Sequence, residues 1–256
     1  MAKVSTSVTK AFALLETMAR RPRPWGISEL ARELDLTKSN VHSHLQTLVE
    51  LGFVRPDAGS TKYVPTLKIW EIGLQVTEGF PVRLAAQPHL AALAEIVKKT
   101  VHLAVLEGME AVYIDRIEAP TVLEPKVNIG ARAPAQCVAT GLAMMSTLDN
   151  ESLRRWDRPL DSPTERSPAT FGEVMALVEK TRERGYARTH GSWRRGVIGI
   201  AAPIRVAPNG PHRDTVAGIG ISCLDIGIGE DDIQSLAKYV VYCAERVSEA
   251  LERRGA

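Results

Sequence analysis

The spacing of apolar residues predicts two helices at the start of the chain. Residues 7–20 carry apolar side chains at helical intervals, which indicates one buried face. The residues that define this face are Val8, Phe12, Leu15 and Ala19. Pro22 and Pro24 end the helix. Residues 28–34 then show a second, shorter helical pattern.

A third helix, over residues 38–51, has the composition of a surface that contacts nucleic acid. Thr37 is a good N-cap, and Gly52 stands where a left-handed residue commonly ends a helix. The polar face of this helix consists of Lys38, Ser39, His42, Ser43 and Gln46. Small polar and basic side chains of this kind can reach phosphates and base edges, so we interpret this helix as a recognition helix.

The segments after the third helix predict a hairpin and a linker. Two short β-prone runs, residues 53–55 and 62–64, flank a stretch rich in Pro, Asp, Gly and Ser. A basic hairpin in this position is the wing of a winged helix-turn-helix. Residues 66–77 show a helical pattern interrupted by Gly73, which we interpret as a linker helix. The predicted parts of the chain are a winged helix-turn-helix at 1–65, a linker at 66–80 and a larger domain at 81–256.

The rest of the chain alternates helices and strands, which indicates an α+β domain with one mixed or antiparallel sheet covered by helices. The predicted helices are residues 82–100, 137–148, 171–184 and 231–253. The predicted strands are residues 101–107, 111–118, 122–128, 197–206 and 215–224, and residues 130–136 are predicted to form a loop. The apolar stripes of the first and last helices are candidate surfaces for self-association.

Composition narrows the class of protein. The chain is 45% hydrophobic and 24% charged, which is typical of a folded globular protein. It has no signal peptide and no run near the ~18 apolar residues of a membrane span, so we expect a cytoplasmic protein without a membrane partner. Cys137, Cys223 and Cys243 form no C-x-x-C pair, which favours buried thiols. Residues 1–65 carry nine Lys or Arg against six Asp or Glu, which adds only weak support for a polyanionic partner.

Two sets of motifs stand out along the chain. The first domain carries motifs at residues 27–31 and 36–42, followed by Leu45, Leu48 and Gly52 with Phe53. The second domain carries four ordered motifs, at residues 130–134, 139–143, 184–186 and 196–204. In this order the motifs resemble those of the isocitrate lyase regulator (IclR) family of bacterial transcription factors over nearly the whole chain.

This resemblance implies a winged-helix DNA-binding domain, a linker helix and a sensor domain with a GAF-like or profilin-like sheet. It also implies dimers or tetramers on palindromic double-stranded operators. The implied effector is a small organic acid, with aromatic acids included. We expect no cofactor, no metal site and no enzymatic activity.

The third helix and the hairpin supply the expected DNA contacts. Lys38, Arg55 and Lys62 are candidates for phosphate contacts, because long cationic side chains reach the backbone and release counterions. The candidates for base edges or for hydrogen bonds to phosphates are Thr37, Ser39, Asn40, His42, Ser43 and Gln46.

The expected effector site centres on residues 136–142, because a helix that begins with small residues exposes N–H groups that suit a carboxylate. These small residues could instead only permit close packing of helix on sheet. The resemblance places the ligand wall on Val122, Ala133, Ala139, Thr140, Gly141, Thr189, Val197 and Gly199, with Ser222 and Cys223 on a neighbouring strand. Trp193 would supply an aromatic face or act as a core or lid residue. A hydroxylated benzoate is one hypothesis for the effector.

The charge that would pair with such an acid stays open at this stage. Four arginines surround the proposed segments, namely Arg132, Arg188, Arg194 and Arg195. An alternative function also stays open, because Ser43 stands where the family commonly has Arg and His44 where an apolar residue is usual. That alternative is a sensor or interaction module whose helix-turn-helix no longer binds DNA.

An enzyme is less consistent with the sequence. Gly218 and Gly220 lie inside a predicted strand, whereas a dinucleotide fingerprint joins a strand to a helix. His42 and His44 are two residues apart on a helix and face different directions. Cys137 has no His neighbour in sequence to activate it. The sequence leaves open whether the regulator represses or activates.

Overall fold

The computed structural model describes residues 4–78, 80–119, 125, 127–205 and 215–255. Contacts between residues divide the chain into two units, Met1–Gly79 and Phe80–Ala256. The helix predicted as a linker is observed at Lys68–Glu78 and belongs to the first unit by its contacts. Each unit buries a hydrophobic core of its own, as expected of separate domains.

The first unit is a winged helix-turn-helix. Its elements are α1 (Thr6–Arg20), α2 (Ile27–Glu33), α3 (Lys38–Glu50), β1 (Val54–Pro56), β2 (Tyr63–Pro65) and α4 (Lys68–Glu78). α3 begins where the Asn40 N–H donates to the Thr37 hydroxyl at 3.3 Å, and it ends before Gly52, whose φ of +76° favours glycine. Trp25 pairs with Tyr63 through two backbone hydrogen bonds of 2.9 Å, so the hairpin is extended by a third short segment.

The buried face of α1 differs from the predicted one. Val8 is 54% exposed, Phe12 is 60% exposed and Ala19 also lies at the surface, so this prediction was wrong for all but Leu15. The residues of α1 that are buried are Leu14, Leu15, Thr17 and Met18. The helix carries apolar residues on two sides, and periodicity alone does not reveal which side faces the interior of the same chain.

The second unit contains, among the described residues, one sheet of six strands. The strands are β3 (Thr100–Glu107), β4 (Glu110–Ile117), β5 (Arg132–Pro134), β6 (Ala187–His190), β7 (Val197–Ile204) and β8 (Ala217–Leu224). They lie in the order β5-β4-β3-β8-β7-β6, and every neighbouring pair is antiparallel. The helices are α5 (Pro81–Val97), α6 (Ala139–Met145), α7 (Asn150–Leu153), α8 (Phe171–Arg184) and α9 (Glu230–Gly255).

The two faces of this sheet have different roles. α5 and α9 cover one face, where Val101, Leu103 and Val105 of β3 join the largest hydrophobic cluster. α6 and α8 pack with the other face. Because side chains alternate along a strand, His102 and Ala104 point away from the α5 and α9 side. This alternation places a histidine in the interior between the sheet and α6.

Several short elements of the second unit depart from the predictions. The predicted loop at residues 130–136 contains β5, and the predicted helix at 137–148 is limited to α6 because Val138 adopts an extended conformation. The predicted strand at 122–128 lies mostly outside the described residues, and Val127 and Asn128 are not in a strand. β6 and α7 were not predicted. Such elements have only three or four residues, which is too few for a recognisable period.

The apolar stripe of α9 is used inside its own chain. Ile233, Ala237, Val240 and Val247 are buried in the cluster that joins α9 to α5 and the sheet. The prediction that this stripe forms a surface for self-association was therefore wrong. A long amphipathic helix gives the same pattern whether it covers its own sheet or a partner.

Candidate functional sites

The exposed face of α3 carries the side chains predicted to contact DNA. Lys38, Ser39, His42, Ser43 and Gln46 are all exposed, and Asn40 is half-buried. They are exposed because the intervening residues Val41, Leu45 and Leu48 fill the core of the first unit. A polar ridge of this kind has the shape and chemistry of a helix that reads the major groove.

The hairpin extends this face. Arg55 of β1 is exposed, while Lys62, just before β2, is half-buried. The Gln46 side-chain amide donates to the Tyr63 hydroxyl at 3.5 Å, a long and solvent-exposed hydrogen bond that adds little to stability. The Thr37 hydroxyl caps α3, so at this position the side chain is already used within the protein.

The end of α3 is fixed by residues that the sequence analysis did not single out. The Lys68 ammonium donates to the Leu51 carbonyl at 2.6 Å, and the Thr66 hydroxyl donates to the Gly52 carbonyl at 2.6 Å. The Lys68 ammonium also lies 5.1 Å from the centre of the Phe53 ring. The last carbonyls of a helix otherwise lack partners, so these bonds join the start of α4 directly to the end of α3.

A partly enclosed cavity lies in the second unit beside the start of α6. The empty space between its walls is about 500 Å³, including the open mouth. Seven residues of the predicted effector site line it, namely Ala139, Thr140, Thr189, Trp193, Val197, Gly199 and Ser222.

Three predicted effector residues do not line this cavity, and Val122 lies outside the described residues. The Cys223 side chain belongs to the core under α5 and α9, because neighbours along a strand face opposite ways. Ala133 lies on β5 opposite Ala111 of β4 and is fully buried in a hydrophobic cluster. A Cβ on Gly141 would lie 2.0 Å from the Ala135 carbonyl oxygen, so Gly141 serves the close packing that was the alternative interpretation of this segment.

The structure adds two aromatic residues to the cavity wall that the sequence analysis missed. His102 and Tyr113 come from β3 and β4, and their rings meet edge to face with centroids 5.3 Å apart. The Tyr113 and Trp193 rings are nearly parallel, with centroids 6.3 Å apart. The sequence offered one signal for this part of the site, which is a histidine on the inward face of a predicted strand. A buried polar side chain needs hydrogen-bond partners, so its presence there indicates a polar site in the interior.

Burial controls the protonation of these groups. Burial, as the largest cause, and the positive charges of Arg116 and Arg194 together lower the pKa of His102 to about 4. Burial raises the pKa of Tyr113, and the proximity of the Thr140 hydroxyl partly offsets this rise, although the contact between the two side chains does not have hydrogen-bond geometry. His102 is therefore a neutral imidazole at neutral pH. The His102 Nε2 atom lies 2.8 Å from the Ser222 hydroxyl oxygen.

Two polar atoms of the cavity wall lack hydrogen-bond partners among the described residues. They are the Nδ1 atom of His102 and the hydroxyl oxygen of Thr140, and their residues are only 3% and 5% exposed. A buried polar atom without a partner costs about 1–3 kcal/mol. Such atoms on the wall of a cavity indicate a place for a bound molecule.

One of the four arginines considered above lines the cavity. The Arg194 guanidinium lies 4.4 Å from the centre of the Trp193 ring, and its charge reaches His102. The other three form ion pairs elsewhere. Arg132 pairs with Glu107 and Glu110, Arg188 with Glu230, and Arg195 with Glu165. Arg194 is the one of these four whose side chain lines the cavity, which places its positive charge on the cavity wall.

The thiols and the Ser222–His102 contact show little sign of catalytic chemistry. Burial raises the pKa of Cys137 to about 11 and that of Cys243 to about 12, which keeps both thiols protonated. Within the described residues, His102 Nδ1 has no carboxylate to orient it, as a catalytic serine–histidine pair requires. No cluster of three His, Cys, Asp or Glu side chains, and no helix long and apolar enough to cross a bilayer, occurs in that part of the chain.

Comparisons with known proteins cover both units. Residues 7–58 match the family model described as the IclR helix-turn-helix domain, and residues 74–249 match the one described as bacterial transcriptional regulator IclR C-terminal. The HTH-type transcriptional regulator KdgR of Escherichia coli (strain K12) is 26% identical over 245 residues, which cover 95% of this chain and 91% of that protein.

Solved structures share the fold of the whole chain. The crystal structure of Thermotoga maritima IclR has a TM-score of 0.79 at 27% identity and covers 96% of this chain and 98% of its own. An IclR homologue from Microbacterium hydrocarbonoxydans, complexed with 4-hydroxybenzoate, has a TM-score of 0.81 at 18% identity. It covers 97% of this chain and 100% of its own. At that identity the likeness concerns the fold alone.

Proposed function

Since the chain belongs to the IclR family of bacterial transcriptional regulators, we propose that it binds a palindromic operator and that a small carboxylic acid in the cavity changes this binding. Membership of the family gives the chain a helix-turn-helix DNA-binding domain and an effector-binding domain. The observation that carries the proposal is the combination, in one chain, of an exposed polar helix α3 and a cavity with unpartnered buried polar atoms. We place this activity in the cytoplasm.

The proposed DNA contacts follow from exposure. Lys38 and Arg55, both exposed, would neutralise phosphates together with Lys62. His42, Ser43 and Gln46 would face base edges in the major groove, with Ser39 and Asn40 near the backbone. The Thr37 hydroxyl caps α3. We therefore expect Thr37 to lie near a phosphate at the N-terminus of the helix, where phosphates bind favourably.

The proposed self-association uses the first unit. Large apolar side chains on α1, on α4 and directly before α4 are exposed to solvent, and a set of this size is unusual on the surface of a monomer. They are Val8, Phe12, Leu67, Trp70, Ile72 and Val76. Two copies joined there would present two recognition helices to a palindromic site, as a dimer or as half of a tetramer.

The proposed effector is a small organic acid, with aromatic acids included. Trp193 and Tyr113 supply aromatic walls, and Arg194 supplies a cation. The homologue that binds 4-hydroxybenzoate supports an acid of this size in the shared fold. α4 would carry the response to α3, since Thr66 and Lys68 bond the end of that helix.

The test is a mobility-shift titration of the purified full chain with the DNA upstream of its own gene, with and without a panel of small carboxylic acids. We expect a specific complex at low salt that one class of acid strengthens or weakens. A Lys38→Ala variant serves as the matched control for phosphate binding. Absence of any complex at low salt would favour the sensor module that no longer binds DNA.

A further inference from the structure

The two unpartnered atoms on the cavity wall carry information about the ligand. A ligand that left the His102 Nδ1 atom and the Thr140 hydroxyl bare would keep two buried polar groups unsatisfied. A site built in this way discriminates strongly against molecules that lack the matching polar group. The polar group that matches this site depends on whether His102 donates or accepts a hydrogen bond at Nδ1.

The contacts of Ser222 favour one tautomer of His102. The Ser222 hydroxyl oxygen lies 2.8 Å from His102 Nε2 and 3.5 Å from the Pro125 carbonyl oxygen. A hydroxyl has one hydrogen, and only the hydroxyl can donate to the carbonyl. Both contacts are hydrogen bonds when Nε2 carries the imidazole hydrogen and donates to Ser222. In that tautomer Nδ1 is left as an acceptor.

The position of the carboxylate follows from the same group. A neutral imidazole that presents a lone pair repels a carboxylate, so the acid group cannot lie against Nδ1. Arg194 provides a positive charge on the same cavity wall. α6 has only seven residues, so its N-terminus is a weaker candidate than the guanidinium for holding an anion.

We propose that His102 and Thr140 select acids that carry a hydroxyl group, which donates to His102 Nδ1 while Arg194 meets the carboxylate. A hydroxyl suits this pair of atoms, because its hydrogen serves the imidazole and its lone pairs serve the threonine hydroxyl. The inference rests on the proposed function, since it concerns the polarity of the same cavity. It makes His102 a specificity-determining residue that is 120 positions distant in sequence from its partner Ser222.

The test compares matched acids that differ in one hydroxyl. The full chain is titrated by calorimetry with 4-hydroxybenzoate, 4-methoxybenzoate and benzoate, and with lactate and propanoate to cover smaller acids. We expect the hydroxy acid of at least one set to bind about tenfold or more tightly than its partners, since each good hydrogen bond to a buried group gives a preference of this order. The methoxy compound keeps the oxygen but lacks the hydrogen.

Variants assign the preference to the proposed residues. His102→Leu should bind the hydroxy and plain acids within about twofold of each other, whereas Thr140→Val, which keeps the shape, should reduce the preference severalfold. His89→Leu replaces a half-buried histidine of α5 outside the cavity and should keep the wild-type preference. If His102→Leu fails to fold, the Thr140→Val variant and the comparison of acids with the wild type still show whether the hydroxyl preference exists and whether it arises in the cavity.

The outcomes separate this inference from the proposed function. Equal binding of hydroxy and plain acids by the wild type would overturn the inference and leave the acid effector in place. An unchanged hydroxyl preference in the folded variants would also overturn it. If no acid of either set binds, the proposed acid effector fails, and the inference fails with it.

Discussion

The two candidate sites differ in what else their residues do. The polar residues of α3, such as Lys38 and His42, are exposed and add nothing to the core of the first unit. In the cavity, His102 and Thr140 are buried, and a Cβ on Gly199 would come within 2.8 Å of the Thr189 hydroxyl. The DNA face can therefore change without a loss of stability, whereas the cavity cannot.

The largest effect is expected beside the cavity, at Gly141. Gly141→Ala would place a Cβ 2.0 Å from the Ala135 carbonyl oxygen, so we expect a loss of about 3 kcal/mol in the free energy of unfolding. This loss exceeds the ~1 kcal/mol that alanine gains over glycine in a helix. Gly172→Ala in α8, where nothing lies within 4 Å, is the control and should be neutral or slightly stabilising. Equal urea midpoints for Gly141→Ala and wild type would contradict the packing role.

His102 should make the stability of the second unit depend on pH. Burial lowers the pKa of His102 to about 4, whereas an unfolded histidine titrates near 6.5. Between these values the unfolded chain binds more protons, so the free energy of unfolding falls as pH falls, by roughly 3 kcal/mol between pH 7 and pH 4. His102→Gln lacks this contribution. Urea unfolding at both pH values measures it, and equal pH dependence in wild type and variant would rule it out.

Substitutions on α3 should change DNA binding without changing stability. Gln46→Ala should alter the preference among operator variants by about 1–3 kcal/mol, because a side chain at a base edge discriminates by this amount. Lys38→Ala should weaken binding to all sequences and lower the salt slope by about one. Fluorescence anisotropy at several salt concentrations distinguishes the two effects. A salt slope equal to that of the wild type would refute the phosphate role of Lys38.

Lys68 is expected to be the exception in the first unit, because it is exposed and yet holds the end of α3. Lys68→Met removes the bond to the Leu51 carbonyl and the contact with the Phe53 ring, and it should cost about 1 kcal/mol of stability. Lys10→Met on α1 is a control of the same chemistry. Thermal unfolding of both variants measures the effect. Identical melting temperatures for Lys68→Met and Lys10→Met would show that the contact between the start of α4 and the end of α3 does not stabilise the unit.

The two sites also differ in how far the sequence could predict them, because one is built from a local segment and the other from distant parts of the chain. The recognition helix was predictable because its cap, its stripe and its polar face lie within one local segment, from Thr37 to Gly52. The long strands and α8 were predictable for the same reason. The buried face of α1 was not, because its choice depends on α2, α3 and the hairpin rather than on its own period.

The cavity was only partly predictable. The resemblance to a family brought Thr140, Thr189 and Ser222 together from three separate segments, which no local pattern could do. It missed His102 and Tyr113, because their role arises from strand pairing across distant positions. It also included Cys223, whose side chain faces the opposite way from that of Ser222 and lies in the core under α5 and α9.

The most direct test of the central claim is a measurement of coupling between the two sites. The affinity of the purified chain for 4-hydroxybenzoate, or for whichever acid of the panel binds, is measured by calorimetry with and without saturating operator DNA. A regulator whose cavity controls α3 must show an acid affinity that changes with DNA by the same factor as the operator affinity changes with acid. We expect the two factors to be equal and to differ from one. Acid binding of identical affinity in the presence and absence of operator would contradict it.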